Sequence, residues 1–279
     1  MRYRFLRFPD GKLKAVTFSY DDGVVADTRL ARLLSDRGLK GTFNINSGIW
    51  NREGRLTPQE IQENIVALGH EVAIHGEWHR ALGVISTADG IRDVLRCREA
   101  MEQAFGRIVR GMAYPDSGIT RFTGDHTYDD VKRYLQALGI IYARTLAGDN
   151  DRFDLPNDWH AWMPTAHHDN PEVMAYADRF CALTDRPGLP PRLFYLWGHS
   201  YEFDERNNWE HMEALCDKLA GKADVWYATN EEIYLYVQAY EALVFSADDT
   251  RVYNPTATDV WFNADGHIHC VKAGETITL

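Results

Sequence analysis

The sequence predicts an α/β chain: an irregular (β/α) barrel of seven or eight parallel strands over residues 1–243, followed by a small β appendage over 244–279. Three observations carry this expectation. From residue 13 to residue 243, short apolar runs alternate with amphipathic helical patterns, the rhythm of βαβ units and a parallel sheet. Seven or eight such runs suit a closed barrel better than an open sheet. From Val244 the pattern changes to short alternating segments divided by Asn-Pro, Asp-Gly and Ala-Gly turns.

The first apolar run, Leu13 to Phe18, reads as a strand that leads into Ser19-Tyr20-Asp21-Asp22-Gly23. Asp27 then caps a helix whose Leu30, Leu33 and Leu34 share one face, and Gly38 ends it. Thr42 to Asn46 is the second strand. Thr57-Pro58-Gln59-Glu60 forms a capping box with proline at the first helical position, and Ile61, Ile65 and Leu68 supply that helix's apolar stripe up to Gly69. Glu71 to Ile74 is the third strand, running into His75-Gly76-Glu77-Trp78-His79.

Ile91, Val94, Leu95, Met101 and Phe105 mark a long helix before the strand Arg110–Tyr114. Val131, Leu135 and Leu138 mark another before Ile140–Ala143. Trp159 to Thr165 reads as an irregular strand. A helix with Val173, Met174, Ala177 and Cys181 leads through the proline-rich residues 187–191 to the strand Leu193–Trp197. A last helix–strand pair covers 209–227, and Asn230 caps a terminal helix that reaches Leu243. The appendage segments are Arg251–Tyr253, Val260–Phe262, His267–His269 and Thr276–Thr278. They are too few for an independent core and are expected to pack on the barrel; an aromatic sugar-binding face there is one role open to them.

The chain has 279 residues, 45% of them apolar, which is ample for a large core. A net charge of −11 argues against a nucleic-acid or anionic-membrane partner. Cys97, Cys181, Cys216 and Cys270 lie far apart with no Cys-x-x-Cys spacing, and read as buried thiols. The N-terminus has no apolar leader with a small-residue cleavage site, and no run approaches the ~18 apolar residues of a membrane span. A soluble, cytoplasmic protein is the expectation. Its oligomeric state is not legible.

Two features carry chemistry. Asp21 and Asp22 stand at a strand-to-helix turn, where side chains of parallel-sheet enzymes reach a ligand. Adjacent carboxylates repel, so the pair is easiest to hold if one binds a cation and the other does not. The bland reading is an acidic turn, because Asp-Asp-Gly is also ordinary turn chemistry. His75 and His79, four apart, point the same way if they share one helical turn. With Asp22 they make a two-imidazole, one-carboxylate set that leaves a fourth position open, the pattern of a catalytic metal site. Zinc is the default, and cobalt, nickel, manganese or iron fit the same donors.

These stretches resemble known motifs. Thr17-Phe18-Ser19-Tyr20-Asp21-Asp22-Gly23 is similar to the Thr-Phe-Asp-Asp-Gly motif of the polysaccharide deacetylases (NodB-homology, carbohydrate esterase family 4). Gly69-His70-Glu71-Val72-Ala73-Ile74-His75-Gly76-Glu77-Trp78-His79 resembles their second motif, with Gly76 where that motif has Ser or Thr. Leu193 to His199 resembles the late strand whose terminal His is the family's general acid. The resemblance spans residues 10 to 240 and omits the appendage. It implies a NodB-like barrel and a single divalent metal on Asp22, His75 and His79. It makes Asp21 the general base and His199 the acid that protonates the leaving amine. The oxyanion would then be shared by the metal and a backbone N–H near Tyr114 to Asp116.

Two departures stand out. The family's third motif carries an Arg that braces the catalytic Asp. Gly111-Met112-Ala113-Tyr114-Pro115-Asp116-Ser117-Gly118 has none, and Arg144, at the end of the next strand, is expected to supply the guanidinium. The fourth motif is matched only loosely by Asn157-Asp158-Trp159. Trp159 or Trp162 is expected to stack on a sugar, and His167 and His168 to line the pocket or extend the metal site, although Trp is also a common core residue. Tyr114 and Asp116 complete the expected substrate contacts. The reading is a metal-dependent hydrolase that removes N-acetyl, or O-acetyl, groups from an acetylated sugar or oligosaccharide. Two alternatives are an allantoinase-like hydrolase of a small amide or ureide, and a non-catalytic carbohydrate-binding protein.

Overall fold

A computed structural model describes residues 3–279 apart from 117, 125, 147, 148 and 187, so Ser117 of the third motif and Pro187 of the proline-rich stretch lie outside the described residues. After a short first strand, β1 (Arg4–Arg7), comes β2 (Lys14–Asp21), buried at all eight positions. Such burial needs neighbours on both edges and layers on both faces. The parallel strands that follow are β3 (Gly41–Ile45), β4 (Glu71–Ile74), β5 (Gly111–Ala113), β6 (Tyr142–Arg144), β7 (Ala166–His167), β8 (Arg192–Gly198) and β9 (Val225–Tyr227). Six of them run with β2 in the order β6-β5-β4-β3-β2-β8-β7, while β9 pairs with the start of β2. The sheet curls until its ends approach. There Trp162 forms a single parallel bridge to Arg144, and Thr165 N–H donates to the Tyr195 carbonyl at 2.7 Å.

All strands point the same way, so Asp21, His75, Arg144, His167 and His199 stand at or just past strand ends on one rim. The helices are α1 (Asp27–Ser35), α2 (Pro58–Asn64), α3 (Thr87–Phe105), α4 (Tyr128–Ala137), α5 (Val173–Cys181), α6 (Tyr201–Glu205), α7 (Trp209–Leu219) and α8 (Asn230–Glu241). Their apolar faces meet the sheet: Leu30, Ala31 and Leu34 of α1, and Val94, Cys97 and Met101 of α3, join Phe18, Phe43 and Ile74 in the main core. Each fully buried Leu, Phe or Met there contributes about 1.5–3 kcal/mol. A second cluster, with Leu6, Phe8, Tyr142, Trp162 and Ile233, fills the end of the barrel where the strands begin.

Several local expectations need correction. Asp27 is the first residue of α1, and its Oδ2 accepts the Val24 N–H at 3.0 Å, so it ties down the preceding turn. Thr229 is the cap of α8, in a capping box with Glu232, and Asn230 lies one residue inside. Residues Trp159–Ala161 form a 3-10 turn, leaving only Trp162 and β7 with strand pairing. All four cysteines are free, but only Cys97 and Cys216 are fully buried; Cys181 and Cys270 are partly exposed.

Beyond α8 come β10 (Val244–Phe245), β11 (Arg251–Tyr253), β12 (Val260–Ala264), β13 (His267–Val271) and β14 (Thr276–Thr278), all antiparallel. The N-terminal β1 pairs with β12. Val252, Val260, Phe262 and Val271 form a small core with Ala239 and Leu243 near the end of α8, so these strands share apolar burial with the barrel's last helix. Among the described residues, no helix is long and apolar enough to cross a membrane.

Candidate active site

Asp21 closes β2 in strand geometry, and Asp22 follows with φ at +87°. A left-handed residue there sends two consecutive carboxylates to different partners. Asp21, 1% exposed, accepts from Arg144 Nη2 at 2.7 and 2.5 Å and from Asn44 Nδ2 at 2.8 Å. Burial alone would raise its pKa; the Arg144 guanidinium, with His75 and His199, outweighs burial and holds it below the usual carboxylate range. Arg144 is itself fully buried, with its guanidinium 4.6 Å from the centre of the Trp197 ring.

Asp22 faces the histidines. Its Oδ1 lies 3.3 Å from His79 Nε2 and 3.7 Å from His75 Nε2, while Oδ2 lies 3.6 Å from Arg55 Nη1. The His75 Nδ1 sits 2.9 Å from the Ala113 carbonyl. A carbonyl only accepts, so Nδ1 carries the proton and Nε2 is left with a bare lone pair, the arrangement of a metal-ligating His. Burial pushes the His75 pKa down, which keeps it in the neutral, ligating form. The Asp22 Oδ1 is buried without a hydrogen-bond partner, and all three donors lie within 4.8 Å of one another. Around a tetrahedral ion with bonds of about 2.0–2.1 Å, donors stand roughly 3.3 Å apart. The three residues fit a divalent cation.

His75 and His79 do not share a helical turn, contrary to the spacing argument. They lie on a loop in which Gly76 (φ +77°) and His79 (φ +56°) are left-handed, and this brings the rings to 4.9 Å. Asp93 of α3 holds the loop: its Oδ1 accepts the Trp78 N–H at 2.9 Å, and its carbonyl accepts the Glu77 N–H. A Cβ on residue 76 would collide with Asp93 Oδ2, and φ there is left-handed, so the position favours glycine where the resembling motif has Ser or Thr.

His199 follows β8, with Nε2 4.0 Å from Asp21 Oδ2 and Nδ1 3.4 Å from Glu202 Oε2. Burial would lower its pKa, but Glu202, Asp21 and Asp22 outweigh it and raise the ring above its ordinary value. The same Glu202 oxygen stands 3.2 Å from His167 Nε2 and 3.3 Å from His168 Nε2. Despite partial burial, these imidazoles hold the Glu202 carboxyl well below its usual range. His168, fully buried, is pushed down to about 2 by burial first and by neighbouring His167 second. His167 and His168 thus stand beside His199, whereas the donor set of Asp22, His75 and His79 does not include them.

Several other expected contacts are committed elsewhere. The Tyr114 N–H donates to the Arg144 carbonyl and its hydroxyl to the His160 carbonyl, so residue 114 is committed to the barrel wall and offers no oxyanion donor. Asp116 is exposed, with φ at +54°. Trp162, 1% exposed, packs on Tyr142 and Tyr195 as the residue that bridges the sheet ends; a sugar cannot reach it. Trp159 packs against Trp162 and Tyr234 of α8, in the cluster at the opposite end of the barrel. Asp158 accepts from Tyr128 and Lys132 and caps the 3-10 turn, so this loosely matched motif is committed to the fold. Sequence reasoning missed Asn44, Arg55, Asp93 and Glu202. A polar Asn inside a buried strand, and a Glu three residues past a candidate acid, were the available signals for two of them.

Residues 9–140 match the family model described as polysaccharide deacetylase. No curated protein matches the sequence significantly. Among solved structures, the fold is similar to a Mycobacterium smegmatis protein provisionally named a polysaccharide deacetylase, at 18% identity and a TM-score of 0.60, covering 86% of this chain and 96% of the other. It is also similar to an acetate complex of a family 4 carbohydrate esterase from Streptomyces lividans (17%, TM-score 0.50, 77% and 91% covered). A family 4 acetyl xylan esterase from Clostridium thermocellum, solved with a cobalt ion, gives 15% identity and a TM-score of 0.51, with 79% and 90% covered.

Proposed function

We propose that the chain, whose residues 9–140 match the polysaccharide deacetylase family model, is a metal-dependent hydrolase that removes acetyl groups from an N-acetylated sugar or oligosaccharide. One observation carries the reading: the adjacent carboxylates are divided, Asp21 to Arg144 and Asn44, Asp22 to two imidazoles. Asp22, His75 and His79 would hold the cation, and zinc, cobalt, nickel, manganese and iron all suit such donors. When bound, it supplies Lewis acidity that activates water and polarises the acetyl carbonyl.

The remaining steps fall to side chains. Asp21, kept ionised by Arg144, takes the proton of the attacking water. Asn44 fixes one Asp21 oxygen, leaving the other turned toward His75 and His199. His199, whose raised pKa favours the protonated ring, delivers a proton to the departing amine nitrogen, and Glu202 orients it through Nδ1. Without that proton the amine would have to leave as an anion, a far poorer leaving group.

The test is acetate release from N-acetylglucosamine oligomers by protein as purified, stripped with chelator, and reloaded with zinc, cobalt or nickel. Acetate that vanishes on stripping and returns on reloading supports the reading. Metal near one equivalent at this site with no acetate from any acetylated sugar contradicts the substrate and moves it to a small amide.

A further inference from the structure

We propose that His168, Asp169 and Glu202 hold a second divalent cation, beside His199 and separate from the Asp22–His75–His79 set. His168 is fully buried between the rings of Tyr20 (5.8 Å, parallel) and Phe203 (4.3 Å), and neither of its ring nitrogens has a hydrogen-bond partner. Leaving a buried polar atom unpaired costs about 1–3 kcal/mol, so a ring placed this way needs a reason. Its Nε2 is aimed at two carboxylate oxygens, Asp169 Oδ2 and Glu202 Oε2, each 3.3 Å away. That is roughly the donor–donor spacing around a tetrahedral ion. It also matches the 3.3 Å between His79 and Asp22 at the first set. Gly198 permits the placement: a Cβ there would collide with His168 Nδ1.

The neighbours have defined parts. His167 Nδ1 accepts the Asp169 N–H at 3.2 Å, so its neutral ring carries the proton on Nε2 and donates toward Glu202 Oε2. His167 is therefore an outer partner that orients Glu202. Arg206 lies against Asp169 Oδ2, with its other terminal nitrogen 3.4 Å from Glu202 Oε1, and it is the competing counter-charge. About half exposed, it is free to swing toward solvent when a cation takes its place. One imidazole and two carboxylates suit zinc or manganese. An ion there would fix Glu202, and through it the ring of His199. The proposal shares no donor with the first set and does not depend on it.

The test is metal content per chain by elemental analysis, after dialysis of the holoprotein against zinc or manganese and removal of loose metal. Wild type should hold two equivalents, and Asp22→Asn, His168→Phe and Asp169→Asn one each. Phenylalanine keeps a ring between Tyr20 and Phe203, and partly exposed Asp169 covers the case in which a His168 variant does not fold. Arg206→Ala should retain both equivalents, or bind the second more tightly. One equivalent in wild type, lost in Asp22→Asn but kept in His168→Phe and Asp169→Asn, overturns the second site and leaves the first intact. One equivalent kept in Asp22→Asn but lost in Asp169→Asn supports the second site and contradicts the first. Two equivalents surviving in both His168→Phe and Asp169→Asn, or none in wild type, overturn the proposal.

Discussion

Arg144, the last residue of β6, lays its guanidinium on both oxygens of Asp21, the last residue of β2, at 2.7 and 2.5 Å, and both side chains are buried. Neither charge would be tolerable in that position alone. The pair explains how a chain whose stretch from Gly111 to Gly118 has no arginine keeps its buried aspartate ionised. Arg144→Ala should lower acetate release by at least about a hundredfold. The acidic limb of the pH–rate profile should also move up, because removal of the guanidinium frees the Asp21 pKa to rise. A rate within a few fold of wild type would sink this role.

Glu202 bears on the other limb. The raised pKa of His199 owes much to this carboxylate, so in Glu202→Gln the imidazole should lose its proton at lower pH. The basic limb should shift down, with kcat falling more than KM rises. An unmoved basic limb would make Glu202 a bystander.

At position 76 the prediction is about backbone and space. Gly76→Ser adds a Cβ into Asp93 Oδ2 and forces a left-handed conformation on a side-chain residue, at a cost of about 1–3 kcal/mol. The loop carrying His75 and His79 should loosen, with metal affinity down by roughly tenfold per 1.4 kcal/mol. Unchanged affinity and melting temperature would contradict the fit.

Trp162 offers the opposite contrast. As the bridge between the sheet ends it is core, so Trp162→Ala should destabilise the fold by about 3–5 kcal/mol. KM for any oligosaccharide should be unchanged in the fraction that remains folded. A selective rise in KM with unaltered stability would restore it as a sugar platform.

The candidate site was legible where its parts sit at strand ends and a short motif fixes both type and position. The βαβ rhythm put Asp21, Asp22, His75 and His79 at strand ends, whereas His199 and Arg144 were singled out by the resemblance to the deacetylase motifs. The failures are non-local or conformational. The spacing of His75 and His79 suggested a helix, but Asp93 and two left-handed residues build a loop. Trp162 could not be assigned, because its burial depends on where the sheet ends meet. The pairing of β1 with β12 joins opposite ends of the chain, which no local pattern encodes. Glu202 lay hidden on a helix of little more than one turn, and only the fold brings three imidazoles to its oxygen.

The central claim is the division of labour between two adjacent aspartates, and the most direct test compares Asp21→Asn with Asp22→Asn. Metal content at the Asp22–His75–His79 set and acetate release would be measured on the same samples, with His168→Phe as a common background to exclude the second site. Both variants should lose acetate release; Asp21→Asn should still hold its cation, and Asp22→Asn should not. Loss of the cation in Asp21→Asn, or its retention in Asp22→Asn, would contradict the assignment of base and ligand.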